Sequence, residues 1–324
     1  MNAREERLLA RRAGLGGSDI GAMLGLSKYR TPGDVWLEKT GRAPGQEETL
    51  QMRFGTYAEE FVAQEYCAKT GQAVQRFTKM LHHPTAPVLG NVDRLVVPAG
   101  AKVASHKGEV RTDKLLECKT ASAFAAYNAD EWGDEGTDAV PMSYLIQCAT
   151  YMALTGCNYA DLAVLFGNQE VRIYNLKRDT ELETEVIARA TEWWNRYVIA
   201  DVPPPPTSEE DVKKLFPSHK PEQTIEITPQ VLVAFERLRS IKADIKALET
   251  DEQTQRDIIL PFIGEAEALT YQGDTLATFK APKASRKTDW KAAAEEVAAL
   301  IPIGQQIIEK HSKTVAGSRR FLLK

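Results

Sequence analysis

Apolar side chains recur along this chain at two spacings, every second residue in some segments and every third or fourth in others, which predicts strands and helices within one domain. The segment VLGNVDRLVV, Val88 to Val97, has the β-branched and aliphatic content of a strand, and its alternation puts Asn91, Asp93 and Leu95 on one face. A second strand, KLLECK from Lys114 to Lys119, turns Leu115, Glu117 and Lys119 one way and Leu116 and Cys118 the other. Upstream, Gly55 to Tyr66 reads as a helix with Ala58, Phe61, Val62 and Tyr66 facing inward. At about 100° per residue, Glu59 falls at the edge of that face beside Val62 and Tyr66, whereas Glu60 points almost the opposite way. Ser143 to Leu154 is helical again, with Gln147 and Tyr151 as an i, i+4 pair. From Asp179 to Ile199 a further helix repeats Leu182, Val186, Ile187, Ala190, Trp193, Trp194 and Tyr197, and its tryptophans read as core anchors rather than a base-stacking platform.

Four consecutive prolines, Pro203 to Pro206, cannot continue that helix and favour extended chain. They divide the sequence into a main domain over 1–202, a proline-rich linker over 203–221 and an appendage over 222–324. In the appendage, Thr228 to about Asp257 reads as one long amphipathic helix able to pair with another helix, with Val231, Phe235, Leu238, Ile241, Ile245 and Leu248 on its apolar face. Ala266 to Lys280 reads as a hairpin turning at Gly273-Asp274, followed by a helix, Trp290 to Leu300, and a last strand, Arg319 to Leu323. From Asp274 onward there are ten Lys/Arg against five Asp/Glu, a balance that suits either contact with a phosphate backbone or a solvated surface.

With 324 residues, 43% hydrophobic and 27% charged, the composition is that of an ordinary globular protein. A net charge of -4 argues against a protein that coats nucleic acid non-specifically, but leaves room for a local basic stripe. Cys67, Cys118, Cys148 and Cys157 are too scattered for a zinc site or a cysteine-bound iron–sulfur cluster, and read as buried thiols. The first residues lack a signal-peptide core and no stretch is long and apolar enough for a membrane span, so a cytoplasmic location is expected.

The chemistry-bearing residues interrupt the apolar pattern. Asp93 sits in an otherwise buried-looking strand, 24 residues before Glu117 on the next one. Mg²⁺ takes hard oxygen ligands, binds through one or two carboxylates and completes its octahedron with water and substrate phosphate. A lysine two residues beyond Glu117 stands where it can assist a metal-activated water or neutralise charge developing on phosphate. An isolated Glu-x-Lys is common on solvated strands, and Glu59 by periodicity alone is also a plausible surface residue. Gln147, polar within an apolar helix, requires a partner, either core backbone or a nucleotide near the metal.

Taken together, Gly55-x-x-x-Glu59, Asp93, Glu117-x-Lys119 and Gln147-x-x-x-Tyr151 resemble the PD-(D/E)XK nuclease superfamily. Within it, RRAGLGGSDI from Arg11 to Ile20, then LSKY from Leu26 to Tyr29 and Pro32, are similar to the amino-terminal signature of the YqaJ-type viral recombinases, the lambda exonuclease family; the match runs over about residues 8 to 200. The resemblance implies an α/β (α+β) fold with a restriction-endonuclease-like core, a mixed central sheet flanked by helices, plus the small α+β appendage. It implies Asp93 and Glu117 as metal ligands with Glu59 at the edge of the metal site, Lys119 on the attacking water, and Gln147 holding the nucleophile or substrate. Arg11, Arg12 and Ser18 match positions that hold a 5′-terminal phosphate, with Asn91 and Tyr151 beside the DNA, and Gly14-Leu-Gly-Gly17 suits close approach of backbone to an anion. Asn91 stands where lambda exonuclease has serine, and the segment after Lys119 lacks a nearby arginine of that enzyme, which sets end recognition apart from metal catalysis.

The implied activity is a Mg²⁺-dependent 5′-to-3′ exonuclease on double-stranded DNA ends, with Mn²⁺ as a substitute, leaving 3′ single strands for a single-strand annealing protein. The family also implies a homo-oligomer, a ring-shaped trimer, in a bacterial host carrying a phage, prophage or mobile element. An endonuclease or a helicase-associated nuclease would use the same cluster. A non-catalytic DNA-binding or scaffold protein would have lost part of it.

Overall fold

The computed structural model describes residues 9–43, 49–127, 131–285 and 287–313. It divides the chain into two compact units, Met1–Pro217 and Ser218–Lys324. The first is built on a five-stranded sheet of order β1 (Val74–Arg76), β4 (Arg94–Val96), β7 (Lys114–Ala121), β8 (Tyr159–Phe166) and β9 (Glu170–Lys177), with a separate short pair, β5 (Ser105–His106) and β6 (Glu109–Val110), outside it. Only β7 and β8 are parallel, through eight pairs that include Glu117 opposite Leu162 and Lys119 opposite Val164, while the other neighbours run antiparallel.

Helices cover both faces, which is why β8 is buried from Ala160 to Phe166 without polar alternation. On one face Leu95, Leu115, Leu162, Val164 and Phe166 pack with Cys148, Tyr151 and Met152 of the helix Met142–Thr155. On the other, Val96, Leu116, Cys118, Ala163 and Leu165 pack with Ala58, Val62 and Tyr66 of the helix Leu50–Thr70. Besides helical residues at 9–12 and a 3-10 turn at Ala123–Tyr127, the described residues of this unit form α1 (Gly17–Met23), α2 (Pro32–Lys39), α3 (Leu50–Thr70), α4 (Met142–Thr155), α5 (Thr180–Trp193) and α6 (Glu209–Leu215) in chain order. Asp179 caps α5 by accepting from the Glu181 and Leu182 amides, and a π-helical turn, Trp194–Ile199, extends it. Trp193 is buried with Val186 and Ala190, so it anchors the core.

Two features of this unit's packing differ from the sequence expectations. The strand expected over 88–97 is broken: β3 (Leu89–Gly90) pairs with β2 (Leu81–His82), and only β4 joins the main sheet. The first half is drawn away by Leu15, whose amide donates to the Pro87 carbonyl at 2.7 Å and whose carbonyl accepts from Leu89 at 3.0 Å. Phe61 is half exposed rather than inward, because the sheet meets α3 along Ala58, Val62 and Tyr66; with Phe54 and Tyr57 it lines a surface groove. The unit boundary lies at Pro217, within the expected linker over 203–221, and α6 docks back on α2. Its buried Asp211 accepts from Thr31 Oγ1 at 2.6 Å and from Thr207, and Lys214 pairs with Asp34 at 2.9 Å.

In the second unit α7 (Pro229–Ile263) runs past Asp257, and the hairpin β10 (Ala268–Tyr271) to β11 (Asp274–Thr278) follows. Its left-handed pair is Gln272 and Gly273, at φ 50° and 92°, one residue earlier than expected. Then come α8 (Trp290–Ala299) and α9 (Gly304–His311), while the strand expected at Arg319–Leu323 lies outside the described residues. The four cysteines are unpaired. No helix among the described residues is long and apolar enough to cross a membrane.

Candidate active site

Central placement of β7 fixes the phase of its side chains. Leu115 belongs to the core under α4, so Glu117 and Lys119, two and four residues on, also face α4. Glu117 is 2% exposed. Its Oε1 accepts from Lys119 Nζ at 2.6 Å and from Gln147 Nε2 at 2.7 Å, and the same Gln147 amide donates to Tyr151 OH at 3.0 Å. Glu117 Oε2 is buried and meets no donor among the described residues, its side-chain neighbour being the Asp93 carboxyl. Asp93 lies in the gap between β3 and β4, where its Oδ2 accepts from the Cys118 amide at 3.0 Å.

These contacts shape the charge states. Burial, reinforced by the Asp93 carboxylate, pushes the Glu117 carboxyl up to about 8, against the pull of Lys119. Burial also raises Asp93, opposed by Lys119 and by the Cys118 amide. Burial pulls Lys119 downward, but Glu117 and Asp93 outweigh it and hold the ammonium above its ordinary value. The lysine side chain is 23% exposed, with Nζ 5.9 Å from the Tyr144 ring centre, so the cluster opens toward solvent at this point.

The cluster fits a hard divalent cation. Two neighbouring carboxylates, one with a buried oxygen lacking any donor, are the ligand chemistry Mg²⁺ prefers. Asp93 and Glu117 are the residues that would hold it. The expected third ligand is not gathered with them: among the described residues no three His, Cys, Asp or Glu form a metal-holding group. Glu59 Oε1 instead pairs with Arg94 at 2.6 Å, and Arg94 also reaches Glu60 at 2.9 Å, so the two glutamates do not point apart as expected.

The amino-terminal glycines are explained by packing. A Cβ on Gly17 would lie 2.8 Å from Gln147 Cγ, and one on Gly14 would lie 2.9 Å from the Pro87 carbonyl oxygen. Gly17 therefore lets α1 press on the residue that holds Glu117, and Gly14 permits the bridge between Leu15 and Val88. Gly90 plays the same part for Tyr151, whose ring would be 2.7 Å from an added Cβ. Ser18 is exposed next to Gly17, and Asn91 is exposed in the strand gap. Arg11 is exposed and its carbonyl accepts from Lys39, while the Arg12 guanidinium lies against Gly41.

Two groups escaped sequence reasoning. Asp19 is fully buried, accepting from the Gly16 amide at 2.9 Å, Lys39 at 2.6 Å and Arg30 at 2.7 Å. Burial pushes this carboxyl up, yet Lys39 and Arg30 prevail and bring it down to about 2. The acidic residue three positions after the Gly16 N-cap was the available signal. Arg94, a charge beside Asp93 in an apolar run, was the other.

A family model for the YqaJ-like viral recombinase domain matches residues 7–158. The uncharacterized protein YqaJ of Bacillus subtilis (strain 168) is 33% identical over 282 residues, 82% of this chain and 82% of that protein. Among solved structures, the alkaline exonuclease LHK-Exo of Laribacter hongkongensis, in complex with dAMP, aligns with a TM-score of 0.47 at 19% identity over 60% of this chain and 93% of its own. A phage-related exonuclease from Haemophilus somnus gives a TM-score of 0.38 at 13% identity over 58% and 96% of the respective chains. With one residue in three identical across four-fifths of both sequences, this chain belongs to the family of YqaJ-like viral recombinases.

Proposed function

We propose that this protein is a Mg²⁺-dependent 5′-to-3′ exonuclease acting on double-stranded DNA ends, with Mn²⁺ able to replace Mg²⁺, and that it leaves 3′ single strands for an annealing protein. The observation that carries this reading is the partnerless, buried Glu117 Oε2 beside Asp93, with Lys119 on the opposite oxygen. The family membership supports it. When bound, the cation would supply Lewis acidity at the scissile phosphate and a water more easily deprotonated than in bulk.

The chain's own residues do the rest. Gln147 and Lys119 both occupy Glu117 Oε1, which leaves Oε2 for the cation. Tyr151 accepts from the Gln147 amide and fixes its rotamer. Lys119 keeps its proton and faces charge building on the phosphate, a role in which one preorganised donor typically contributes about a hundredfold or more in rate. Arg11, Arg12, Ser18 and Asn91 are assigned to the 5′-phosphate and the DNA strand, and a ring-shaped homotrimer would keep the enzyme on its substrate.

End dependence tests the reading. Linear duplexes with and without a 5′ phosphate, and covalently closed circles, are incubated with Mg²⁺, and products are followed from each labelled end. Loss of the 5′ label from linear DNA with circles intact is expected. Rapid cutting of closed circles would instead place the protein among endonucleases, and inertness on every substrate would mark a binding protein.

A further inference from the structure

We infer that Glu59 serves the metal site indirectly, as the anchor of Arg94, and that the pair acts to hold Asp93 in position for the cation. This rests on the nuclease reading above. Arg94 stands opposite Leu116 on β7, and Leu116 packs on the α3 side of the sheet, whereas Glu117 faces α4. Glu59, carried by α3, thus approaches from the opposite face to Glu117, near enough to Asp93 to couple with its charge, with its Oε1 held by the guanidinium.

Arg94 is suited to the positioning role. Its side chain is 4% exposed, and its NH1 group donates both to Glu59 Oε1 at 2.6 Å and to the Asp93 carbonyl at 2.7 Å. Asp93 is the first residue outside the ladder, since pairing of β4 with both β1 and β7 begins at Arg94. Asp93 has no ladder partner of its own, and the guanidinium holds its carbonyl. Glu60, mostly exposed, takes the NH2 group from the solvent side.

Mn²⁺ binding by the full chain without DNA, read from the loss of the free-ion electron paramagnetic resonance signal, tests the inference. Glu59→Gln retains an acceptor for Arg94 and removes only the charge a ligand would need, so its Mn²⁺ affinity should stay within about threefold of wild type. Glu59→Ala and Arg94→Met should weaken Mn²⁺ by about tenfold, the scale for losing a supporting partner of a metal ligand. Adding Glu59→Gln to Arg94→Met should weaken it no further. A loss above about threefold in Glu59→Gln alone, or unchanged affinity in Arg94→Met, overturns the inference, as the first marks a direct ligand and the second an idle arginine. If Arg94→Met does not fold, Glu59→Gln decides. Absence of Mn²⁺ binding by the wild type would bring down the nuclease reading itself.

Discussion

Replacing Glu117 by glutamine removes the ionisation that burial opposes, and the consequence for stability follows from the folded protein's raised carboxyl. Glu117 moves from an ordinary 4.5 to about 8 in the metal-free protein. A carboxyl raised on folding binds its proton more tightly in the folded state, so stability is greatest below the unfolded value and declines as pH rises toward the folded one. Each unit of displacement corresponds to about 1.4 kcal/mol, and Glu117 shares its site with Asp93, so the metal-free wild type should lose about 2–4 kcal/mol between pH 5 and 8. Glutamine imitates the protonated acid, keeps an acceptor for Lys119 and Gln147, and should flatten most of that slope. The raised Asp93 carboxyl leaves a smaller decline in the same direction. Urea unfolding from pH 5 to 9 in a chelator, with and without Ca²⁺, measures it. The two proteins should be similar near pH 5, the variant more stable at pH 8, and Ca²⁺ should stabilise wild type increasingly with pH while doing little for the variant. Parallel pH slopes for the two proteins, or a variant less stable at pH 8, would refute the reasoning.

Lys119→Ala should keep duplex binding within a few fold, measured by fluorescence anisotropy with Ca²⁺, while single-turnover cleavage with Mg²⁺ falls by about a hundredfold or more. Gly17→Ala drives a methyl group to 2.8 Å from Gln147 Cγ; it should lower stability by about 1–3 kcal/mol in urea, and cleavage should fall because Gln147 no longer holds Glu117. Asp211→Ala strips acceptors from Thr31 and Thr207 and should cost about 1–3 kcal/mol, with limited proteolysis shifting toward the segment after Pro206 as α6 detaches.

Strand phase at Glu117 and Lys119 was legible because β7 is paired along its length and buried against α4, so alternation alone decides which way a side chain points. The same rule misdescribed Val88 to Val97, where a bridge to Leu15 ends one ladder before another begins. Local spacing cannot announce a partner more than seventy residues away. The packing role of Gly14 and Gly17 was illegible for a related reason: glycine signals close approach, but the approaching groups, Pro87 and Gln147, are remote in sequence. The proline run was visible and did end a helix, yet the docked position of α6 depends on Asp211 meeting Thr31, 180 residues earlier. Helical phase set Glu59 and Glu60 almost opposite each other, yet Arg94 binds both, and they differ instead in exposure, with side chains 23% and 61% exposed.

The eight-pair parallel ladder of β7 on β8 also governs which length changes this chain can absorb. One residue inserted within β7 before Glu117 would rotate its carboxylate and Lys119 to the side occupied by Leu116 and Cys118, and chemistry would vanish even if the sheet re-formed. The connection between β7 and α4 sets no register for that ladder but is tied down elsewhere: Trp132 is buried in the core, and the Gly136 amide and Thr137 carbonyl bond Ile173 and Asn175 of β9, so changes across 132–137 would disturb the sheet edge. Glu117 and Lys119 are thereby locked to the ladder, while the connection that follows them answers to the core and to β9.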